Sequence, residues 1–339
     1  MIATVTAMAP ASAVTVADDG GKSRTTLVDD VDIPAGLTTR VLARTVHLAA
    51  GESRHVRGRI DTTSSMTQIA GLTLTVRCVD AAGGQVGFTG ATARNHEGSD
   101  AASYADPGHL PLYADLLFTA PSAGTYTCGV HAWTASSASS TYHLTATADN
   151  TWMEISNTDQ RGARWWANPT CSSDGTSPTC SYVGPWTSTP AWVFYTDGTP
   201  VYKWAAAADA TAVEALANVT LTTCYRNTAS CQSSSVVPHE QPRGTNSVVD
   251  TRFEVIQLDT TAHTCKVHST PTTRRTIRDD AHHYATYFSL AGLPIDPACG
   301  TRQFIMRVYV KHVSGNPVKI DGLQGATQLT HGIAMNLTS

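Results

Sequence analysis

Charge is what this sequence has least of. Only 15% of its 339 residues are Asp, Glu, Lys or Arg, against about a quarter in an ordinary globular chain. With 23 basic and 27 acidic residues the net charge is −4, which leaves no electrostatic footprint for nucleic acid. No apolar run approaches the ~20 residues that carry a helix across a bilayer. The first half has no helical 3.6-residue periodicity of useful length. There is no G-x-S-x-G nucleophile elbow, no H-E-x-x-H and no glycine-rich phosphate loop. No cysteine stands in a C-x-x-C pair, so a zinc ribbon or thioredoxin-type site has no support. The sequence therefore nominates no catalytic residue, metal or cofactor, and neither nucleic acid nor a membrane span is expected among its partners.

Thr, Ser, Ala and Gly take the place of charge, a composition common in secreted bacterial β-proteins. Eight cysteines, an even number, fit export and disulfide bonding. Residues 1–13 are small and uncharged and end in Ala11-Ser12-Ala13, an A-x-A cleavage pattern. They read as the end of a signal peptide whose basic region lies upstream, or else as a flexible tail. The expected location is secreted, extracellular or at the cell surface. Residues 14–35 are acidic and polar and read as a leader or first edge strand.

From Thr39 onward short strand patterns alternate with turns. Leu72, Leu74, Val76 and Cys78 interleave with Thr73, Thr75 and Arg77, a strand with one buried face. Further on, Cys128, Val130 and Ala132 share a face and Trp133 takes the other. Seven or so short strands with turns every 8–12 residues predict a β-sandwich over residues 36–150.

Within that stretch Ala123-Gly124-Thr125-Tyr126-Thr127-Cys128 resembles the tyrosine corner of the immunoglobulin-like superfold. The resemblance implies that Cys128 bridges to a cysteine on a facing strand, for which Cys78 is the natural partner. Phe88 stands where antibody-type domains carry a core tryptophan. A bridge closing about 50 residues is worth roughly 4 kcal/mol by chain entropy.

The second half repeats the first with changes. Residues 251–259 lie in register with 72–80, so that Cys78 becomes Gln257 and Cys128 becomes Phe304. Cys265 and Cys299 then fall at the places of Val86 and Ala123 and are expected to bridge each other. A rival register would match Gly51 to Gly198 and Cys78 to Cys224. The preferred register predicts an all-β chain of two tandem immunoglobulin-like sandwiches, the second spanning 151–339. Residues 160–250 have no counterpart in it and read as a disulfide-pinned, aromatic-rich insertion. Cys171 with Cys180 and Cys224 with Cys231 would close short loops there, with crossed pairings open. Residues 205–218, Ala-rich, read as a short helix.

Trp165, Trp166, Trp186, Trp192 and Trp204 crowd one segment, and two readings compete. Rigid aromatic faces stack on sugar rings, which makes them the candidate ligand-binding set; equally, such rings fill cores and interfaces. Other groupings carry less. His263-x-Cys265-x-x-His268 has metal-like spacing, but a disulfide would consume the thiolate. His282 and His283, after Asp279 and Asp280, diverge if they lie on a strand. His96-Glu97 reads as a polar loop pair. Arg54, Arg57 and Arg59, like Arg274, Arg275 and Arg278, read as solvated strand faces. The functional expectation is a secreted, non-catalytic binding or surface-structural protein with a glycan or extracellular protein partner. A lectin-like module using residues 165–204 is the alternative, and a hydrolase with His96, His282 or His283 between the domains is the third reading.

Overall fold

The computed structural model describes residues 13–17, 21–63, 69–97, 110–135, 143–160, 162–167, 181–186, 191–193, 195–196, 199–200, 203–225, 231, 236–279, 283–324, 327–328 and 330–337. The fold is all-β. The first half holds β1 (Ala13–Ala17), β2 (Lys22–Leu27), β3 (Val31–Pro34), β4 (Thr38–Leu48), β5 (Ser53–Thr63), β6 (Ile69–Val79), β7 (Gln85–Glu97), β8 (Leu110–Thr119), β9 (Gly124–Ala135), β10 (His143–Ala146) and β11 (Trp152–Ser156). One sheet runs β1-β2-β11-β5-β10-β3, with β8 on the other flank of β5; its mate runs β4-β9-β6-β7.

The second half holds β12 (Arg164–Ala167), β13 (Ser181–Val183), β14 (Ala191–Val193), β15 (Tyr195–Thr196), β16 (Thr199–Pro200), β17 (Lys203–Ala205), β18 (Ala212–Thr223), β19 (Ser247–Leu258), β20 (Thr264–Ser269), β21 (Thr273–Ile277), β22 (Tyr284–Pro294), β23 (Gln303–Gly315), β24 (Val318–Asp321), β25 (Leu323–Gln324), β26 (Thr327–Gln328) and β27 (His331–Leu337). Its sheets run β12-β27-β18-β24-β13, with β22 on the other flank of β18, and β14-β23-β19-β20, with β17 on β23 and β21 on β19. The pairs β15-β16 and β25-β26 are small hairpins.

The two halves share one strand order. Numbering β2, β4, β5, β6, β7, β8, β9 and β11 as 1 to 8, the sheets read 1-8-3-6 and 2-7-4-5. The strands β12, β14 with β17, β18, β19, β20, β22, β23 and β27 repeat that order. This is the eight-strand order of a jelly roll, and it replaces the expected immunoglobulin arrangement. Cys78 and Cys128 are bonded, but they sit directly opposite each other on the adjacent strands β6 and β9, with Cα atoms 4.0 Å apart. An immunoglobulin bridge joins two sheets; this one staples neighbours within a single sheet. Phe88 pairs with Arg77 on the face opposite Cys78, so it is not a core ring. The local corner does form: the Tyr126 hydroxyl donates to the Ser122 carbonyl at 2.6 Å, and its ring packs on Phe118.

Register repeats as well as order. Cys78 faces Cys128 across β6 and β9, and Gln257 faces Phe304 across β19 and β23. The turns that follow are alike too. Asp80 Oδ1 accepts from the amides of Ala82 and Gly84, and Asp259 Oδ1 from those of Thr261 and His263. Both are Asx turns, in which a short acidic side chain holds the hairpin bend. Cys265 is bonded to Cys299, and Cys224 to Cys231. Cys171, Cys180 and residues 1–12 lie outside the described residues.

Residues 160–250 are not an insertion, because β12, β13, β14, β17 and β18 supply strands to both sheets of the second half. Nor is there a helix at 205–218. β18 is flanked by β22 on one side and by β27 and β24 on the other, and Val213 through Thr223 are all buried. Pairing on both edges and packing on both faces override the helical preference of its alanines. The first core gathers Leu27, Val56, Ile60, Leu72, Leu74, Val76, Leu112 and Val130; the second gathers Val213, Val219, Leu221, Phe253, Phe304, Met306 and Val308.

Between the cores, the sheet containing β5 and β8 meets the sheet containing β18 and β27. Leu117 packs with Ala163, Leu216, Ile333 and Met335. Tyr113 packs at a tilt against Tyr287, ring centroids 4.4 Å apart, and Lys22 Nζ reaches Glu214 at 2.8 Å. Arg57 and Arg59 belong here, only 12% and 20% exposed at the side chain; Arg54, on the other face of β5 and 14% exposed, pairs with Glu52, and none of the three lies on a solvated face. Burial alone would raise the Asp115 carboxyl; Arg57 and His55 outweigh it and hold Asp115 well below the usual carboxylate range.

A candidate ligand groove on the outer face of one sheet

Strand alternation puts every second residue of β4, β9, β6 and β7 on the face turned away from the first core. Cross-strand register arranges these residues in rows. One row is Thr38, Trp133, Thr73 and Thr92. The next is Arg40, His131, Thr75 and Gly90, and the one after it holds Ala43, Gly129, Arg77 and Phe88.

The middle of this face is recessed. Thr75 and Thr92 are 9% and 4% exposed, and Gly90 and Gly129 are buried, while Trp133, His131, Arg77 and Phe88 stand half-buried around them. A Cβ on Gly129 would come within 2.9 Å of the Leu42 carbonyl and 3.1 Å of His131 Nε2. Only glycine lets the imidazole lean across the floor. Hydroxyls line the walls: Thr73 with Thr92 at 3.2 Å, and Thr45 with Thr127 at 3.2 Å.

Electrostatically the groove is cationic. Burial lowers the Arg77 pKa from its ordinary value, and its one hydrogen bond among the described residues is to Thr75 Oγ1, at 3.4 Å. Its Nε is buried with no partner. Burial, then Arg77 and Arg40, depress the His131 imidazole to about 3. The ring is therefore neutral at physiological pH, with one nitrogen to donate and one to accept. A guanidinium, a neutral imidazole, hydroxyls and an indole on one recessed strip can hold a polar ligand that also presents an apolar face.

The matching face of the second half is closed. Register places Arg252 at Thr73, Glu254 at Thr75, Ile256 at Arg77, Ile305 at Gly129, Arg307 at His131 and Tyr309 at Trp133. Glu254 is held by Arg252 and Arg307 at 2.6 and 2.8 Å. Arg307 lies over Trp192 at 3.9 Å, and Arg252 over Tyr309 at 5.0 Å. Isoleucines fill the floor, and both guanidiniums share the same carboxylate.

The five tryptophans do not form one surface. Trp204 is 4% exposed and stacks on Phe304 in the second core, so it is withdrawn from any ligand set. Trp192 lies under Arg307, and Trp186 leans on Gly184 and stacks with His239 at 4.8 Å. Beyond Trp186, Gly184, Pro185, Gln241, Thr245, His312 and Gly315 line a cleft of about 550 Å³. Trp165 and Trp166 lie on β12, paired with Ile333 and Gly332; their side chains are outside the described residues.

The histidines do not converge either. His283 is buried at a positive φ of 61°, its amide donating to Thr222, while His282 lies outside the described residues. His96 and Glu97 end β7 and are not in a loop. Cys265 is consumed by its disulfide, and His263 caps the Asp259 turn. His55 with Asp115 at 2.8 Å is sealed between the halves at 1% and 4% exposure. Sequence reasoning passed over the groove, although its signal was the period-two run Thr125, Thr127, Gly129, His131, Trp133 opposite the buried set.

No protein-family model matches the chain, and no curated protein does. Solved structures with some likeness include the N-terminal CBM22-1-CBM22-2 tandem domain of Paenibacillus barcinonensis Xyn10C. It is 10% identical over 93% of this chain and 87% of that one, with a TM-score of 0.24. The stem and receptor binding domain of spike protein P1 from bacteriophage PM2 is 9% identical over 91% and 96%, TM-score 0.21. The extracellular domain of ANXUR2 from Arabidopsis thaliana is 8% identical over 88% and 89%, TM-score 0.21. At scores this low the fold rests on the strand order described above, and the chain is similar to these structures without belonging to a family through them.

Proposed function

We propose that the chain is an extracellular, non-catalytic binding protein of two jelly-roll units, meeting near residue 160, and that it holds a glycan on the outer face of β4, β9, β6 and β7. The recessed strip carries this reading: an indole, three threonine hydroxyls and a glycine floor in adjacent rows suit a sugar ring, which offers hydroxyls at its edge and C–H groups on its face. Two core clusters and a shared strand order support two units, with Ala285 and Tyr287 of β22 reaching into the first core. Disulfide bonds support an oxidising location.

Affinity electrophoresis through gels containing a panel of soluble polysaccharides tests the assignment. Retardation by at least one polymer is expected, lost in Trp133→Ala and kept in Trp192→Ala. A chain that no polysaccharide retards, or one whose retardation survives Trp133→Ala, would overturn it.

A further inference from the structure

We infer that the sugar taken by this groove is acidic, bearing a carboxylate or sulfate that Arg77 and Arg40 receive. The inference rests on the glycan reading above and adds the charge of the ligand. Three observations carry it.

First, Arg77 is a half-buried guanidinium that meets no carboxylate among the described residues; its one hydrogen bond is to a threonine. A desolvated cation without a counter-ion is costly, and a bound anion would relieve that cost. Second, Arg40 stands one row away across the same floor, exposed to solvent. The His131 ring between them stays neutral and can donate a hydrogen bond to an anion without adding repulsion to the guanidiniums. Third, the second half shows what the same register looks like when the charge is cancelled from within. There Glu254 occupies the place of Thr75 and takes both Arg252 and Arg307. In the first half that carboxylate is absent, and a threonine hydroxyl stands instead. With a chain net charge of −4, a polyanion is drawn to this strip by local geometry and not by overall attraction. Planar guanidiniums suit the two oxygens of a carboxylate or sulfate, which they can engage in a fork.

The experiment compares matched polymers by calorimetric titration. These are polygalacturonate against its carboxyl-reduced form, and dextran sulfate against dextran. One anionic polymer is expected to bind at least about tenfold more tightly than its neutral match, a ratio of ~1.4 kcal/mol. Arg77→Gln should abolish that preference, and Arg40→Gln should reduce it. Arg274→Gln, at an exposed arginine paired with Asp250 in the second half, should change nothing. Since Arg77 supports no ion pair among the described residues, the Gln variant should melt within a few degrees of the parent, which a thermal scan verifies. Equal binding of acidic and neutral forms overturns the acidic assignment and leaves the glycan reading standing. Binding of neither form of either polymer overturns both. Loss of binding in Arg274→Gln as great as in Arg77→Gln would reduce the effect to diffuse charge and overturn the site.

Discussion

Asp321 offers a test of the buried polar seam in which sign and size are both set by its surroundings. Its carboxyl lies on β24 at 3% exposure, accepts a hydrogen bond from Thr222 Oγ1 at 2.5 Å and stands 3.5 Å from Lys319 Nζ. Burial outweighs both partners and pushes it up from 3.8 to about 6. The folded protein therefore holds this proton more tightly than the unfolded chain does. Stability from this source is complete below pH 4 and is lost as pH rises through 6. At ~1.4 kcal/mol for each tenfold in proton affinity, the rise amounts to about 3 kcal/mol. In Asp321→Asn the group cannot ionise, so the variant should gain about 3 kcal/mol on the parent between pH 4 and pH 7. Urea unfolding of both proteins at four pH values, followed by tryptophan fluorescence, measures it. The comparison matters because Asp115, depressed by Arg57 and His55, and His131, depressed by burial, both favour higher pH. Their contributions cancel in the difference. A difference that stays constant to within about 0.5 kcal/mol across that range would refute the reasoning.

Two further changes probe the first half. Replacing Cys78 and Cys128 together with alanine should cost about 4 kcal/mol, from the 50-residue separation they close, and denaturant titration of the double variant reads it. Gly58→Ala should cost ~1–3 kcal/mol by overpacking, because a Cβ there would meet Val130 and Val76 at 2.8 Å; a melting temperature equal to the parent's would contradict it.

What could be read in advance follows from where the deciding interaction lies. Alternation along 72–78 reports a strand because its period is local, and the register linking Cys78 to Gln257 rests on the same kind of pattern. Residues 212–223 look helical because their alanines carry a helical preference, while the strands that flank them come from residues 284–294, 318–321 and 331–337. No window around β18 contains that information. Arg57 and Arg59 read as solvated because one face of β5 is polar, but the sheet opposite is polar as well. Two such faces, pressed together with Lys22 on Glu214, bury charge that composition would place in water. Trp204 and Trp133 are the converse pair. The crowded segment drew attention to Trp204, which is core. Trp133 stands by itself in sequence and gains its meaning from Thr73 and Thr92, which lie at least 41 positions away and join it only in a row.

On the glycan proposal, the closed face of the second half also sets the valency of the molecule. Glu254 takes both Arg252 and Arg307 there, whereas Arg77 on the β4-β9-β6-β7 face meets no carboxylate among the described residues. The proposed groove then grips a strand once per chain, and strengthening through multiple grips comes from neighbouring copies on the same polymer.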